Sequence, residues 1–130
     1  MLFYEFDQNN TGGTWVADED LGYKVFIEAD SESAAVDKAL DIGIYFDGCR
    51  TGNDCPCCGD RWYEPYGAGK EAPTYYGKPL PLTEAENPFG FWGLPIVVHY
   101  ADGTRKYYDE DGGWFDTFEA YVSVNGKPGR

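Results

Sequence analysis

Residues 54–60 read Asp-Cys-Pro-Cys-Cys-Gly-Asp, so three of the chain's four cysteines fall within four positions. Cys55-Pro56-Cys57-Cys58-Gly59 contains the C-P-x-C-G form of a metal knuckle. In such a turn two thiolates converge on an ion at Zn–S distances of about 2.3 Å. Proline fixes φ after the first ligand, and glycine lets the chain turn after the second. A structural zinc takes four ligands, and no second C-x-x-C pair exists. The expected set is therefore Cys55 and Cys58 with Cys49 and either Cys57 or His99, the lone histidine; Asp54 or Asp60 is a poorer donor to a thiolate site. Two other readings stay open. Cys55 and Cys58 also make a C-x-x-C dithiol, although redox proteins place that motif at a helix N-terminus and the following GDRWYEPY is not helical in pattern. Alternatively, the thiols are buried in a tight turn or form a disulfide on exposure to air.

The second chemically suggestive stretch is QNNTGGTW. Gln8, Asn9 and Asn10 offer donors and acceptors together, and Gly12 and Gly13 expose backbone amides. With Trp15 or Tyr63 as a stacking plate, such a loop suits a base edge or sugar. Arg50 and Arg61, joined by Lys24, would supply the phosphate contacts. Arg105 and Lys106 are the other cations of note. The plainer reading is a turn whose polar groups bond their own backbone. The loop is neither a Walker loop nor a dinucleotide fingerprint. With one histidine and no nucleophile elbow, zincin or deaminase motif, the sequence predicts a protein that is not an enzyme.

These segments sit in a chain of 130 residues with 23 carboxylates against 10 lysines and arginines, a formal charge of −13. Such a field repels nucleic acid and anionic lipid, so direct nucleic-acid binding is not expected. It favours a partner with a basic surface. The acidic runs Ala17–Gly22 and Tyr107–Asp116 mix carboxylates with rings and are the candidate docking surface, against the simpler account of solvated loops. No apolar run approaches the ~20 residues needed to span a bilayer. The N-terminus lacks the pattern of a signal peptide, which points to a reducing cytoplasm.

The elements that must position these residues read as one α+β domain over residues 1–130, with a mainly antiparallel sheet. Leu2–Phe6 and Gly22–Asp30 are strands, the second with Val25 and Ile27 on one face and Lys24, Phe26 and Glu28 on the other. A principal helix over Ser31–Ile42 follows from an Asp30/Ser31 cap, apolar residues at helical spacing and a terminal Gly43. Thr14–Asp18, Ile44–Gly48 and Arg61–Tyr66 are candidate short strands or turns. Residues 67–93 are rich in proline, glycine and rings (Tyr75, Tyr76, Phe89, Phe91, Trp92) and are expected to form an ordered irregular insertion. A hairpin joins 96–100 to 104–108 through a type I′ turn at Asp102-Gly103. Phe118–Val124 alternates as a last strand, and 125–130 is expected to be a flexible tail.

The segments YEFDQNNTGG, VFIEADSESAAVDKALDIGIYFDG and DCPCCGDRWY together resemble a family of small uncharacterised proteins of tailed bacteriophages. The resemblance covers about the first 65 residues and implies a protein of the host cytoplasm that modulates host machinery or defence. On that footing the chain is expected to be an acidic binding protein that occupies a basic host protein. The alternative is a sponge for a nucleotide immune signal, held by Gln8, Asn9, Asn10, Gly12, Gly13, Trp15, Arg50 and Arg61.

Overall fold

The computed structural model describes residues 1–65, 68–75, 77–82, 91 and 93–128. Strand β1 (Leu2–Asp7) pairs antiparallel with β2 (Lys24–Ala29), putting Phe3 opposite Glu28 and Asp7 opposite Lys24. The β2 strand then meets β5 (Ile96–His99) in parallel, with Val25 opposite Val97. Antiparallel pairing continues through β6 (Arg105–Tyr108) and β7 (Trp114–Phe115), so the sheet order is β1-β2-β5-β6-β7. The fold is α+β, as its sequence pattern predicts. One parallel pair makes the sheet mixed, because a parallel neighbour needs a long crossover and residues 30–95 supply it.

Alternation along the strands gives the sheet two buried faces. On one, Tyr4, Phe6, Val25 and Ile27 meet Ala35 and Ala39 of helix α1 (Glu32–Asp41), joined by Leu21, Ile44 and Trp62. Ser31 caps α1 by accepting from the Ala34 amide at 3.1 Å, and Ile42 closes it, so the expected boundaries hold to within a residue. Small alanines let the helix approach closely. On the same face Val97 and Tyr107 pack under helix α3 (Phe118–Asn125) through Tyr121. The other face buries Phe3, Phe26, Ile96, Val98 and Tyr108 under Tyr75, Leu82 and Phe91 of the proline-rich stretch. Within that stretch β3 (Thr74–Tyr75) and β4 (Lys78–Pro79) form a small separate ribbon. The expected packing of Tyr76, Phe89 and Trp92 lies outside the described residues.

Several expectations need correction. Phe118–Val124 is helical: Thr117 accepts from the Ala120 amide at 3.1 Å, and Tyr121 is buried with Phe118 and Val122 beside it. Val124, which a strand would bury with Val122, is 68% exposed. The alternation was real but helical spacing, i to i+3 and i+4, decides the packing. The hairpin turn is not type I′, which requires positive φ at both central residues. Gly103 N–H donates to the Tyr100 carbonyl at 3.0 Å, closing a turn over Ala101 and Asp102, and only Gly103 is left-handed at φ 91°. Asp102 is occupied in accepting from the Thr104 amide and hydroxyl. Thr14–Asp18 and Ile44–Gly48 are not strands, and Arg61–Tyr66 contributes only a bridge between Trp62 and Gln8 among its described residues. Of the expected tail, Asn125 ends α3 and bonds Asp109, and Pro128 is buried.

Candidate functional site

The two conspicuous sequence motifs are one structural unit. The backbone after β1 continues as a strand edge: Asn9 N–H donates to the Arg61 carbonyl at 2.6 Å, and Tyr63 N–H to the Asp7 carbonyl at 3.3 Å. The Asn9 carboxamide then donates to the carbonyls of Cys58 (2.9 Å) and Asp60 (3.2 Å). Gln8 is buried and fully used. Its Nε2 donates to the carbonyls of Val16 (2.9 Å) and Gly22 (2.8 Å), and its Oε1 accepts from the Val16 amide (2.7 Å) and Arg61 (3.2 Å). A carboxamide presents the donor and acceptor of a peptide group, so Gln8 pairs with Val16 as a strand neighbour would.

Arg61 closes the unit from beneath and is only 8% exposed. Nη1 donates to Gln8 Oε1 and the Thr14 carbonyl (2.9 Å); Nη2 donates to the Thr11 carbonyl (3.1 Å) and Thr14 Oγ1 (3.2 Å). These four bonds hold the single 3-10 turn Thr11–Gly13 and the segment after it. The guanidinium fork suits this task because its donors diverge in a fixed plane. Trp15 sets its edge against Tyr23 at 5.5 Å. Asn10, Gly12 and Gly13 remain at the exposed tip.

The expected cation cluster is not formed. Arg50 is exposed and pairs with Asp47 at 3.3 Å; Lys24 lies on the opposite sheet face between Glu5 and Asp7, 2.8 Å from each. Arg105 pairs with Asp20 at 2.6 Å, and Lys106 lies 4.4 Å over the Trp114 ring. Each cation had a nearer partner than its distant fellows, as an excess of carboxylates dictates.

The cysteines occupy a braced turn. Helix α2 (Gly48–Thr51) carries Cys49, whose amide donates to Asp60 Oδ1 at 2.9 Å and whose thiol donates to the Cys55 carbonyl at 3.4 Å. Cys58 and Gly59 amides both donate to the Cys55 carbonyl, at 3.1 and 3.2 Å, so the chain turns tightly here, as its proline and glycine predict. Asp54 is buried, accepting from Tyr45 Oη (2.6 Å) and the Arg61 amide (2.9 Å). Gly48 has no substitute here, since a Cβ would meet the Asp54 carboxylate at 1.7 Å. The amide of Cys57, then the thiol and amide of Cys58, hydrogen-bond to the Cys55 sulfur and lower its pKa. Desolvation, then Asp60, push the Cys49 thiol up to about 11. Among the described residues no three His, Cys, Asp or Glu side chains already converge on one point as metal ligands do. His99 is elsewhere, buried on β5 with Nε2–H donating to the Asp20 carbonyl at 2.8 Å.

One site had no counterpart in the sequence reading. A cavity of ≈160 Å³ opens beside β1, lined by Phe3, Tyr4, Glu5, Asp7, Tyr63, Glu64, Pro65, Ala68 and Lys70. Lys70 Nζ reaches Glu5 at 2.6 Å. The available signal was Glu5 and Asp7 two apart on a strand, hence on one face. Burial acts to raise the Glu5 carboxyl, but hydrogen bonds from Asp7, Lys24 and Lys70 hold it at about 2. Burial and the neighbouring Glu5 raise Asp7 to about 6 against Lys24. The pair thus titrates as one system in two well-separated steps. Asp7 favours the fold when protonated; that contribution is full below its ordinary 3.8 and lost as pH rises through 6. Glu5 favours it when ionised; its contribution is present above 4.5 and lost as pH falls through 2. The pair therefore stabilises most between these limits, near pH 4. Denaturant titrations from pH 4.5 to 7 should show a decline of about 1–2 kcal/mol that Asp7→Asn removes. Equal slopes in the two proteins would refute this assignment.

The helical face carries the acidic surface. Loop Ala17–Gly22 lies between α1 and α3, its Glu19 and Asp20 carbonyls accepting from Tyr107, Arg105 and His99. Its side chains Asp18 and Glu19 remain exposed, with Asp30, Glu32, Asp37 and Asp41 at α1 and Asp116 and Glu119 at α3. None of these eight is in an ion pair among the described residues. Lys38 is the one lysine or arginine on the three segments. The other acidic run is partly structural: Asp109 is buried and accepts from the Asp111 and Gly113 amides, and Glu110 accepts from Phe91.

Among the described residues, no helix is long and apolar enough to cross a membrane. No curated protein and no solved structure matches the chain. Residues 1–118 match the family model described as "Domain of unknown function (DUF7296)", a span that takes in both bonded motifs, the acidic loop and the whole sheet, and the chain belongs to that family.

Proposed function

We propose that this chain is a non-enzymatic binding protein of bacteriophage type that docks its acidic helical face onto a basic surface of a host protein, restraining that protein's activity. The observation that carries the reading is the set of eight exposed carboxylates, none of them in an ion pair among the described residues, against one lysine on α1, α3 and the loop Ala17–Gly22. Isolated runs would be ordinary solvated loops. Supporting the reading, α1 and α3 pack on the same sheet face, and carboxylates from such segments would sum into a field that steers a basic partner. A nucleotide sponge has less support, because Gln8, Asn9 and Arg61 spend their polar groups on internal bonds.

The test is capture from host lysate by the immobilised protein, repeated with Asp37→Lys/Asp41→Lys/Glu119→Lys. A partner held at ~0.15 M salt should be released near 1 M, as the Debye length falls from about 8 Å to 3 Å. The triple variant should retain a tenth of it or less. Capture indifferent to both salt and charge reversal would reject the reading. No thermal shift with a panel of nucleotides is expected, and a shift would instead point to the sponge.

A further inference from the structure

We propose that Cys49, Cys55, Cys57 and Cys58 hold one thiophilic divalent cation, zinc, as a tetrathiolate site, independently of what the acidic face binds. Two contacts bring these residues into one turn. The Cys55 carbonyl gathers the Cys58 and Gly59 amides, so the backbone already has the tight turn that brings paired thiolates together. Cys49 Sγ stands 3.4 Å from the Cys55 carbonyl, delivered by α2.

The structure chooses between the two fourth ligands. His99 is buried on β5 with Nε2 committed to the Asp20 carbonyl, whereas Cys57 lies within the turn. Nearby hard donors are also committed: Asp54 to Tyr45 and Arg61, Asp60 to the Cys49 amide. A sulfur-only set selects zinc over magnesium or calcium. Cys55, Cys57 and Cys58 are exposed, so turning their side chains onto an ion displaces no packing. On binding, each S–H bond is replaced by an S–Zn bond and its proton goes to solvent, four protons for a full set.

The experiment uses the reduced, chelator-treated full chain titrated anaerobically with Co²⁺ as the probe. Expected are sulfur-to-cobalt charge-transfer and tetrahedral d–d bands that saturate at about one ion per chain and are bleached by one equivalent of Zn²⁺. Cys55→Ser should weaken binding at least tenfold, and His99→Gln should leave it unchanged. Because a serine variant can misfold, wild-type thiol alkylation is read in parallel: one equivalent of Zn²⁺ should slow all four cysteines at least tenfold. Folded protein that shows only the spectrum of aqueous Co²⁺, or alkylation at the same rate with and without Zn²⁺, overturns the proposal. So does loss of the cobalt bands in His99→Gln.

Discussion

Replacing Arg61 with alanine should lower folding stability by about 3–4 kcal/mol, the largest single polar effect in the molecule. The change removes four hydrogen bonds, to Gln8 Oε1, the carbonyls of Thr11 and Thr14, and Thr14 Oγ1; Gln8 Oε1 keeps the Val16 amide and the Thr11 carbonyl keeps long contacts from Thr14, while the Thr14 carbonyl loses its donor. A buried acceptor left without a partner costs about 1–3 kcal/mol, and the bonds lost to acceptors that keep another donor cost about 1 kcal/mol each. Arg61→Lys should recover less than half, because one ammonium cannot serve acceptors spread along a planar fork. Denaturant unfolding measures the loss. Amide exchange should place it, with Asn9–Val16 opening far sooner than β2. A loss below about 1 kcal/mol would mean that the clamp contributes geometry without stability.

Trp62→Ala should cost about 4 kcal/mol and Trp62→Phe less than half of that. Trp62 is 2% exposed and packs within the cluster that includes Tyr4, Phe6, Val25, Ala35 and Ala39. Its loss opens a cavity bounded by a helix and two strands, which cannot close without shifting both. It also sits next to Arg61, so the two substitutions share a backbone segment and should not be additive. A double variant whose loss equals the sum of the singles would contradict the description of residues 8–16 and 54–62 as one bonded unit.

What could be read in the sequence follows from which features are local. The α1 cap and alanine stripe are local, and both were legible. So was the division of β2 into a Val25/Ile27 face and a Lys24/Phe26 face, since pleating alone sets it. The helix at Phe118–Asn125 was not, because FEAYVSV satisfies both periods and only burial of Tyr121 against Val97 and Tyr107 breaks the tie. The tight turn at Cys55–Gly59 was legible from its proline and glycine. The roles of Gln8, Asn9 and Arg61 were not, because their partners lie 8 to 53 residues away. Loops dense in amides look ready for a ligand, and the same groups equally fasten one loop to another. The Glu5–Asp7–Lys24–Lys70 cluster needed both the β1–β2 register and the return of residue 70 to Phe3.

The parallel contact between β2 and β5 also bears on how the chain emerges from a ribosome. β2 and α1 are made early, but the partner of β2 begins at Ile96, 67 residues after Ala29. At about 5–20 residues per second, that edge with Val25, Phe26 and Ile27 waits roughly 3–13 s for its neighbour. Over that interval the nascent chain presents an unpaired apolar strand to every other chain nearby. Low temperature, co-expressed holdases or slower initiation should therefore raise soluble yield more than any change to the finished surface.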